Sequence, residues 1–170
     1  MKRIVLIGAG GAGKSTLARQ IGGKLGLSVI HLDAHYWHEG WVEPPKTEWA
    51  ARVGALVARE AWVMDGNYGG TMGVRLAAAD TIIFLDLPRR LCLGRVVRRQ
   101  IHYRGRTRPD MAPGCPERLT LVFLKYIWNY RRDRRPGILG RMREHAEGRR
   151  LVHLQTPAQV RRFLETLPPP

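Results

Sequence analysis

Apolar residues recur along this chain in two rhythms. Five short, nearly continuous runs are rich in β-branched residues: "RIVLI" (3–7), "SVIHLD" (28–33), "AWVMD" (61–65), "TIIFLD" (81–86) and "LVHL" (151–154). Runs of that length and bulk are expected to be buried parallel strands. Between them the spacing becomes helical. Ser15 to Leu25 sets Leu17, Ala18, Ile21 and Leu25 on one face, and "TEWAARVGALVARE" (47–60) aligns Trp49, Val53, Leu56 and Val57 behind a Thr47 cap. Pro88 opens a helix to about His102, and another is expected from Pro116 to just before Pro136. Thr156-Pro157 caps a last helix through Leu167, after which the "PPP" tail is expected to fray. The stretch "YRGRTRPDMAPGCP" (103–116) has no period and reads as a loop. Strands alternating with helices predict an α/β fold around a largely parallel sheet.

At 170 residues the chain is expected to form one domain, 1–170. It has no run of 18 apolar residues, and its start is too short and too soon rich in glycine for a secretory leader. The expectation is a soluble cytoplasmic protein with no membrane partner. Cys92 and Cys115, the only two cysteines, suggest no disulfide framework.

The sharpest chemical signal is "GAGGAGKST", Gly8 to Thr16, between the first strand and the first helix. A glycine, four residues, then Gly-Lys-Ser is the spacing of a phosphate-binding loop. Glycines let backbone N–H groups converge on phosphate oxygens, and the helix N-terminus favours negative charge. Gly8, Ala9, Gly10, Gly11, Ala12, Gly13, Lys14, Ser15 and Thr16 are therefore candidates for binding ATP. Lys14 would reach the β and γ phosphates, and the Ser15 hydroxyl would ligate Mg²⁺.

Asp33, Asp65 and Asp86 each end an expected strand, and ligands of open α/β sheets collect at the carboxyl ends of strands. Phosphoryl transfer needs one carboxylate in the Mg²⁺ shell and one that accepts a proton from an attacking hydroxyl. Position alone does not assign them, and any one of the three could equally be a cap or a loop anchor.

"WVMDGNYGGT" and "TIIFLDLPRRLCLGRVVRRQ" resemble segments of adenylate-kinase-like P-loop kinases. More narrowly, "HLDAHYWHEGW", "DGNYGGT" and "TRPDMAPGCPE" resemble the small P-loop kinases that carry the family name DNA topology modulation protein. The resemblance implies a P-loop NTPase fold with a five-stranded parallel sheet flanked by helices. It implies an acceptor-side excursion at about 34–60 and a short arginine-rich lid at about 102–117. It puts Asp65 in the Mg²⁺-associated position, through water, and Arg95 and Arg99 at the lid base against the transferring phosphoryl. Their i, i+4 spacing sets both on one helix face, with Arg98 on another, solvated one. One or two of Arg131, Arg132, Arg134 and Arg135 would also reach the phosphates.

The acceptor segment departs from adenylate kinases. Asp33 after the second strand resembles instead P-loop kinases that phosphorylate a small-molecule hydroxyl. As a positioned base, Asp33 points to such an acceptor. Tyr36, Trp37 and Trp41 could wall its pocket or simply pack in the core, while His31 and His35 read as structural.

Charge leaves other functions open. Residues 89–150 hold 18 of the 29 basic residues and five of the 14 acidic ones, a net of +13. Such a segment can surround a triphosphate or bind nucleic acid weakly and without specificity. The leading reading is an ATP-dependent phosphotransferase acting with Mg²⁺ on a small-molecule hydroxyl or nucleotide acceptor. A nucleotide-dependent nucleic-acid-binding NTPase, a nucleoside monophosphate kinase and a regulatory module without turnover are the alternatives.

Overall fold

In the computed structural model, which describes residues 1–168, the five apolar runs form one sheet with every strand parallel. The strands are β1 (Arg3–Gly8), β2 (Val29–His31), β3 (Trp62–Asp65), β4 (Thr81–Leu85) and β5 (Arg150–Leu154), in the order β2-β3-β1-β4-β5. β1 is central, pairing Leu6 with Asp65 on one side and with Ile83 on the other. β3 and β4 are buried along their whole length, as runs covered on both faces must be.

Among the described residues eight α-helices lie between or after the strands: α1 (Lys14–Leu25), α2 (Leu32–Tyr36), α3 (Lys46–Val57), α4 (Met72–Ala78), α5 (Arg89–His102), α6 (Leu121–Asp133), α7 (Arg135–Glu144) and α8 (Pro157–Glu165). None of the described helices is long and apolar enough to cross a membrane. The architecture is the expected α/β fold with a five-stranded parallel sheet flanked by helices.

Several boundaries differ from the sequence reading. β2 stops at His31, so Asp33 does not end a strand but lies in the first turn of α2. β2 is an edge strand with a single neighbour, and nothing extends its ladder beyond the His31–Asp65 pair. The cap of α3 is Pro45 rather than Thr47, and no side chain bonds there. α6 begins at Leu121, not Pro116, because Glu117 first pairs back with Arg106, its N–H donating to that carbonyl at 3.0 Å. The Thr120 hydroxyl then accepts from the Phe123 N–H and starts the helix. α2, α4 and α7 were not foreseen. Pro136 opens α7 instead of merely closing α6, since its ring suits a first helical turn. α8 has the expected Thr156 cap, completed by Gln159 into a capping box, and ends at Glu165 rather than Leu167. Residues 169–170 of the tail lie outside the described residues.

One ion-pair knot ties the C-terminal helices to the sheet. Asp86, just past β4, is 2% exposed and accepts from Arg135 Nε at 2.7 Å, Arg131 Nε at 3.0 Å and His153 Nε2 at 3.0 Å. Burial opposes its ionisation, but the bonds from Arg135, Arg131 and His153 outweigh that and hold the carboxyl below its usual 3.8. Asp86→Asn should therefore destabilise the fold by about 1–3 kcal/mol in urea unfolding at pH 7, the arginines being partly exposed. A depressed folded pKa contributes stability above pH 3.8 that is lost as pH falls through the lower folded value. The gap between wild type and variant should accordingly narrow below that pH. A gap that stayed constant from pH 7 to pH 3 would show that the charge at Asp86 contributes nothing.

Candidate active site

The carboxyl ends of β1 and β3 open on a cleft of about 1530 Å³, lined by the loop 10–16, Asp33, Asp65 and helix α5. Its volume exceeds that of a usual single-ligand pocket and leaves room for two ligands. Within the loop, Gly11 has φ +76° and Gly13 φ +94°, both in the left-handed region. A Cβ on Gly11 would lie 2.3 Å from the Cys92 carbonyl oxygen, and one on Gly10 would lie 2.6 Å from the Phe123 ring. Helices α5 and α6 thus press on the loop so closely that only glycine fits. Lys14 opens α1 and bends back, its Nζ donating to the carbonyls of Gly8 at 3.0 Å and Ala9 at 3.1 Å. Burial lowers its pKa, and the charges of Asp65 and Asp33 act against that.

Asp65 ends β3 as expected and is 4% exposed. The Ser15 hydroxyl donates to its Oδ2 at 2.7 Å, and His31 Nδ1 lies 2.5 Å from its Oδ1. Burial alone would lower the His31 pKa, yet its bond to Asp65 raises it. The donor set is therefore a hydroxyl and a carboxylate, the hard oxygen ligands that Mg²⁺ prefers. No cluster of three His, Cys, Asp or Glu able to cage a metal occurs among the described residues.

Asp33 lies across the cleft. Tyr68 Oη donates to its Oδ1 at 2.6 Å. Burial raises the Asp33 pKa above the usual carboxylate range, and the Tyr68 bond and the Lys14 charge only partly offset it. Tyr36, Trp37 and Trp41 are half-buried and line the same cleft. The His31 ring is engaged by Asp65, and the His35 carbonyl accepts from Arg52.

The arginines separate by partner. Arg95 Nη1 donates to the Ala12 carbonyl at 3.1 Å, directly on the loop. Arg99 is held by Glu117, with its Nη2 2.7 Å from Oε1. Arg98, expected on a separate solvated face, is exposed but also borders the cleft. Arg131 and Arg135 bind Asp86, and Arg132 pairs with Asp133. Of those four, Arg134 alone borders the cleft.

Sequence reasoning missed Glu117, a buried carboxylate shared by Arg99 and Arg108. It also missed Asp110, whose carboxyl burial would raise but the Arg108 charge holds down. Both occur in the quoted "TRPDMAPGCPE", where no period marks which side chains turn inward. Asn67 is a third, its side-chain oxygen accepting from the Gly8 N–H at 3.2 Å and its amide donating to Tyr126 at 2.9 Å. Arg75 is wholly buried and donates to the carbonyls of Gly66, Asn67 and Tyr68, fixing the turn after β3. Burial lowers its pKa to about 10.

Comparison with solved structures shows what kind of fold carries this cleft. A shikimate kinase from Acinetobacter baumannii in complex with shikimate superposes with a TM-score of 0.63 at 17% identity, covering 97% of this chain and 89% of that one. A shikimate kinase from Bacteroides thetaiotaomicron gives 0.55 at 16% identity, covering 96% and 94%. A gluconokinase from Sinorhizobium meliloti gives 0.51 at 17% identity, again covering 96% and 94%. The chain has the fold of the small P-loop kinases. No protein-family model matches it, and no curated protein does.

The packing on the loop generates a paired stability test. Gly11→Ala should destabilise by about 1–3 kcal/mol, from strain at positive φ and the clash with Cys92. Gly23→Ala, inside α1 with open space around it, should stabilise by about 0.5–1 kcal/mol. Equal effects in thermal or urea unfolding would show that the loop is not under that pressure.

Proposed function

We propose that this chain is an ATP-dependent phosphotransferase that uses Mg²⁺ and moves the γ-phosphoryl group to the hydroxyl of a small molecule. The observation that carries the reading is the cleft itself, in which the loop lysine and the Ser15–Asp65 pair face a second carboxylate, Asp33. The whole chain acts as one domain, with 34–60 as its acceptor side and 102–117 as its lid.

The residues divide the work. Loop N–H groups and Lys14 hold the phosphates, with Thr16 at the helix start. Ser15, and Asp65 through water, would hold Mg²⁺, which neutralises charge on the phosphate oxygens. Arg95 and Arg99 spread the charge that develops on the transferring group. The acceptor oxygen bonds to the γ-phosphorus as the bond to the β–γ bridging oxygen breaks, and ADP leaves. Asp33 takes the acceptor's proton at Oδ2, the oxygen that Tyr68 does not occupy. The lid excludes water, which would otherwise compete as acceptor. A nucleoside monophosphate acceptor fits less well, because its dianion needs no base and would face Asp33.

Lys14→Ala should lower transfer by several orders of magnitude with the circular dichroism unchanged, and near-normal turnover would remove this lysine from the site. Asp33→Asn should bind Mg·ATP almost as the wild type does while transfer falls by about 10²–10⁴. Lost Mg·ATP affinity would instead make Asp33 a metal-shell residue.

A base with a raised pKa must lose its proton to work, so turnover should rise with pH through a limb above the ordinary carboxylate range. Tyr68→Phe removes a bond that lowers the Asp33 pKa and should move that limb further up. A limb that stays put would detach Asp33 from the rate.

The basic segment should bind DNA only weakly, with steep loss in salt, and ATP should compete. Sequence-specific binding that persists at physiological salt and ignores ATP would favour the nucleic-acid reading.

A further inference from the structure

Beyond Asp33 the wall of the cleft consists of aromatic rings and carboxylates. Tyr36, Trp37, Trp41 and Tyr68 all border it. Their rings meet one another edge-on or tilted, at 44–90°, and none of them stacks in parallel with another. A flat ligand in the cleft therefore meets aromatic side chains along this wall. The indoles are held from behind. Met111, Ala112 and Cys115 form a small buried group against Trp37 and Trp41, and the Trp41 Nε1–H donates to the Pro116 carbonyl at 3.1 Å.

The charges on this side are negative or already committed. Asp33 and Glu43 both border the cleft. Arg108 is bound to Asp110 at 2.8 Å and Glu117 at 2.6 Å, and Arg52 to the His35 carbonyl and Glu48. Arg118 lies over the Trp41 ring, 4.3 Å from its centroid. An acidic acceptor would place its charge beside Asp33 and Glu43 and would have to draw Arg118 off Trp41 to find a partner. A flat neutral ring meets no such penalty and gains stacking contacts.

We propose that the acceptor is an uncharged hydroxyl compound carrying a flat unsaturated ring, a nucleoside being the type, rather than a sugar acid or a monophosphate. The proposal rests on the phosphotransferase reading above and names the substrate class of that site. The hydroxyl reaches Asp33 while the ring lies on the indole of Trp37. Proton and phosphoryl group follow the course already described, with ATP as donor.

Two arms test the proposal separately from the reading beneath it. In the binding arm, the full chain saturated with Mg²⁺ and a non-hydrolysable ATP analogue is titrated with four probe sets, followed by tryptophan fluorescence and equilibrium dialysis. The sets are nucleosides with pyridoxine, the matching nucleoside 5′-monophosphates, gluconate with shikimate, and glycerol with ribose. At least one member of the first set should bind ten-fold or more tightly than any other probe. Trp37→Ala should weaken that binding by about ten- to hundred-fold, the weight of one stacked base, and leave ATP affinity unchanged. Trp37→Phe, which keeps a ring face and guards against a folding defect, should restore most of it. Tighter binding of an acid or a monophosphate, above all if Arg118→Gln abolishes it, overturns the proposal. So does binding of the first set that is indifferent to Trp37→Ala. In the transfer arm, mass spectrometry follows products from ATP with the same probes. Binding of a flat alcohol without phosphorylation sinks the phosphotransferase reading and leaves the ligand class standing. Phosphorylation of acids alone sinks the class and leaves the phosphotransferase.

Discussion

The Lys14 amine is set into the loop at the floor of the cleft, with two carboxylates acting on its charge. Burial disfavours the proton on Lys14, and the carboxylates of Asp65 and Asp33 are what oppose that loss. Neither carboxylate is free to drift. Asp65 is gripped by Ser15 and His31, and Asp33 by Tyr68. The amine meanwhile donates to two carbonyls of its own loop, so the loop must curl tightly enough for Gly8 and Ala9 to present them. That curl requires the positive φ angles of Gly11 and Gly13 and admits no side chain where α5 and α6 press in. The glycines, the two aspartates and the packing of the helices are thus one constraint.

The sheet order supplies the distances. β1 lies between β3 and β4, so the loop after β1 emerges beside the ends of both. β3 delivers Asp65 to the loop serine, whereas β4 delivers Asp86 to arginines of α6 and α7. Two chemically identical residues, one at a strand end and one just past a strand, therefore do different work. The edge position of β2 matters equally. Because the strand is only three residues long, the chain turns into α2 early, and Asp33 comes to Tyr68 on the far side of the cleft.

Much of this was legible in the residues. The strands are apolar and β-branched, so each could be found from bulk alone, and the loop announces itself by spacing and context. What escaped was decided by long-range partners. "GVRLAA" holds a wholly buried arginine, Arg75, whose guanidinium satisfies three carbonyls, and no periodicity reveals such a helix. The start of α6 was misjudged because Pro116 looks like a helix opener, while Glu117 is drawn back to Arg106 and to two arginine side chains. Equally, four basic residues in "RRDRR" look interchangeable in sequence. Only the fold separates the two that hold Asp86 from the one at the cleft.

Glu117 shows how the basic segment is used. Its carboxylate is buried and shared between Arg99, on the helix that flanks the loop, and Arg108, in the irregular segment that follows that helix. Breaking a buried pair leaves an uncompensated charge, so Arg99 and Arg108 are tied to the position of Glu117. The same segment seats Met111, Ala112 and Cys115 on Trp37 and Trp41, and Gly114 accepts from the Gly40 N–H at 3.1 Å. Gly114 has φ +72°, a left-handed conformation that favours glycine, and it packs beside the Glu39 side chain. Residues 103–117 and the segment carrying Trp37 and Trp41 are therefore packed as a unit. Displacing the former would remove the support behind the indoles and release Arg99 from its carboxylate. Those two losses share one cause, which is why the arginine-rich segment is best understood through its buried acid.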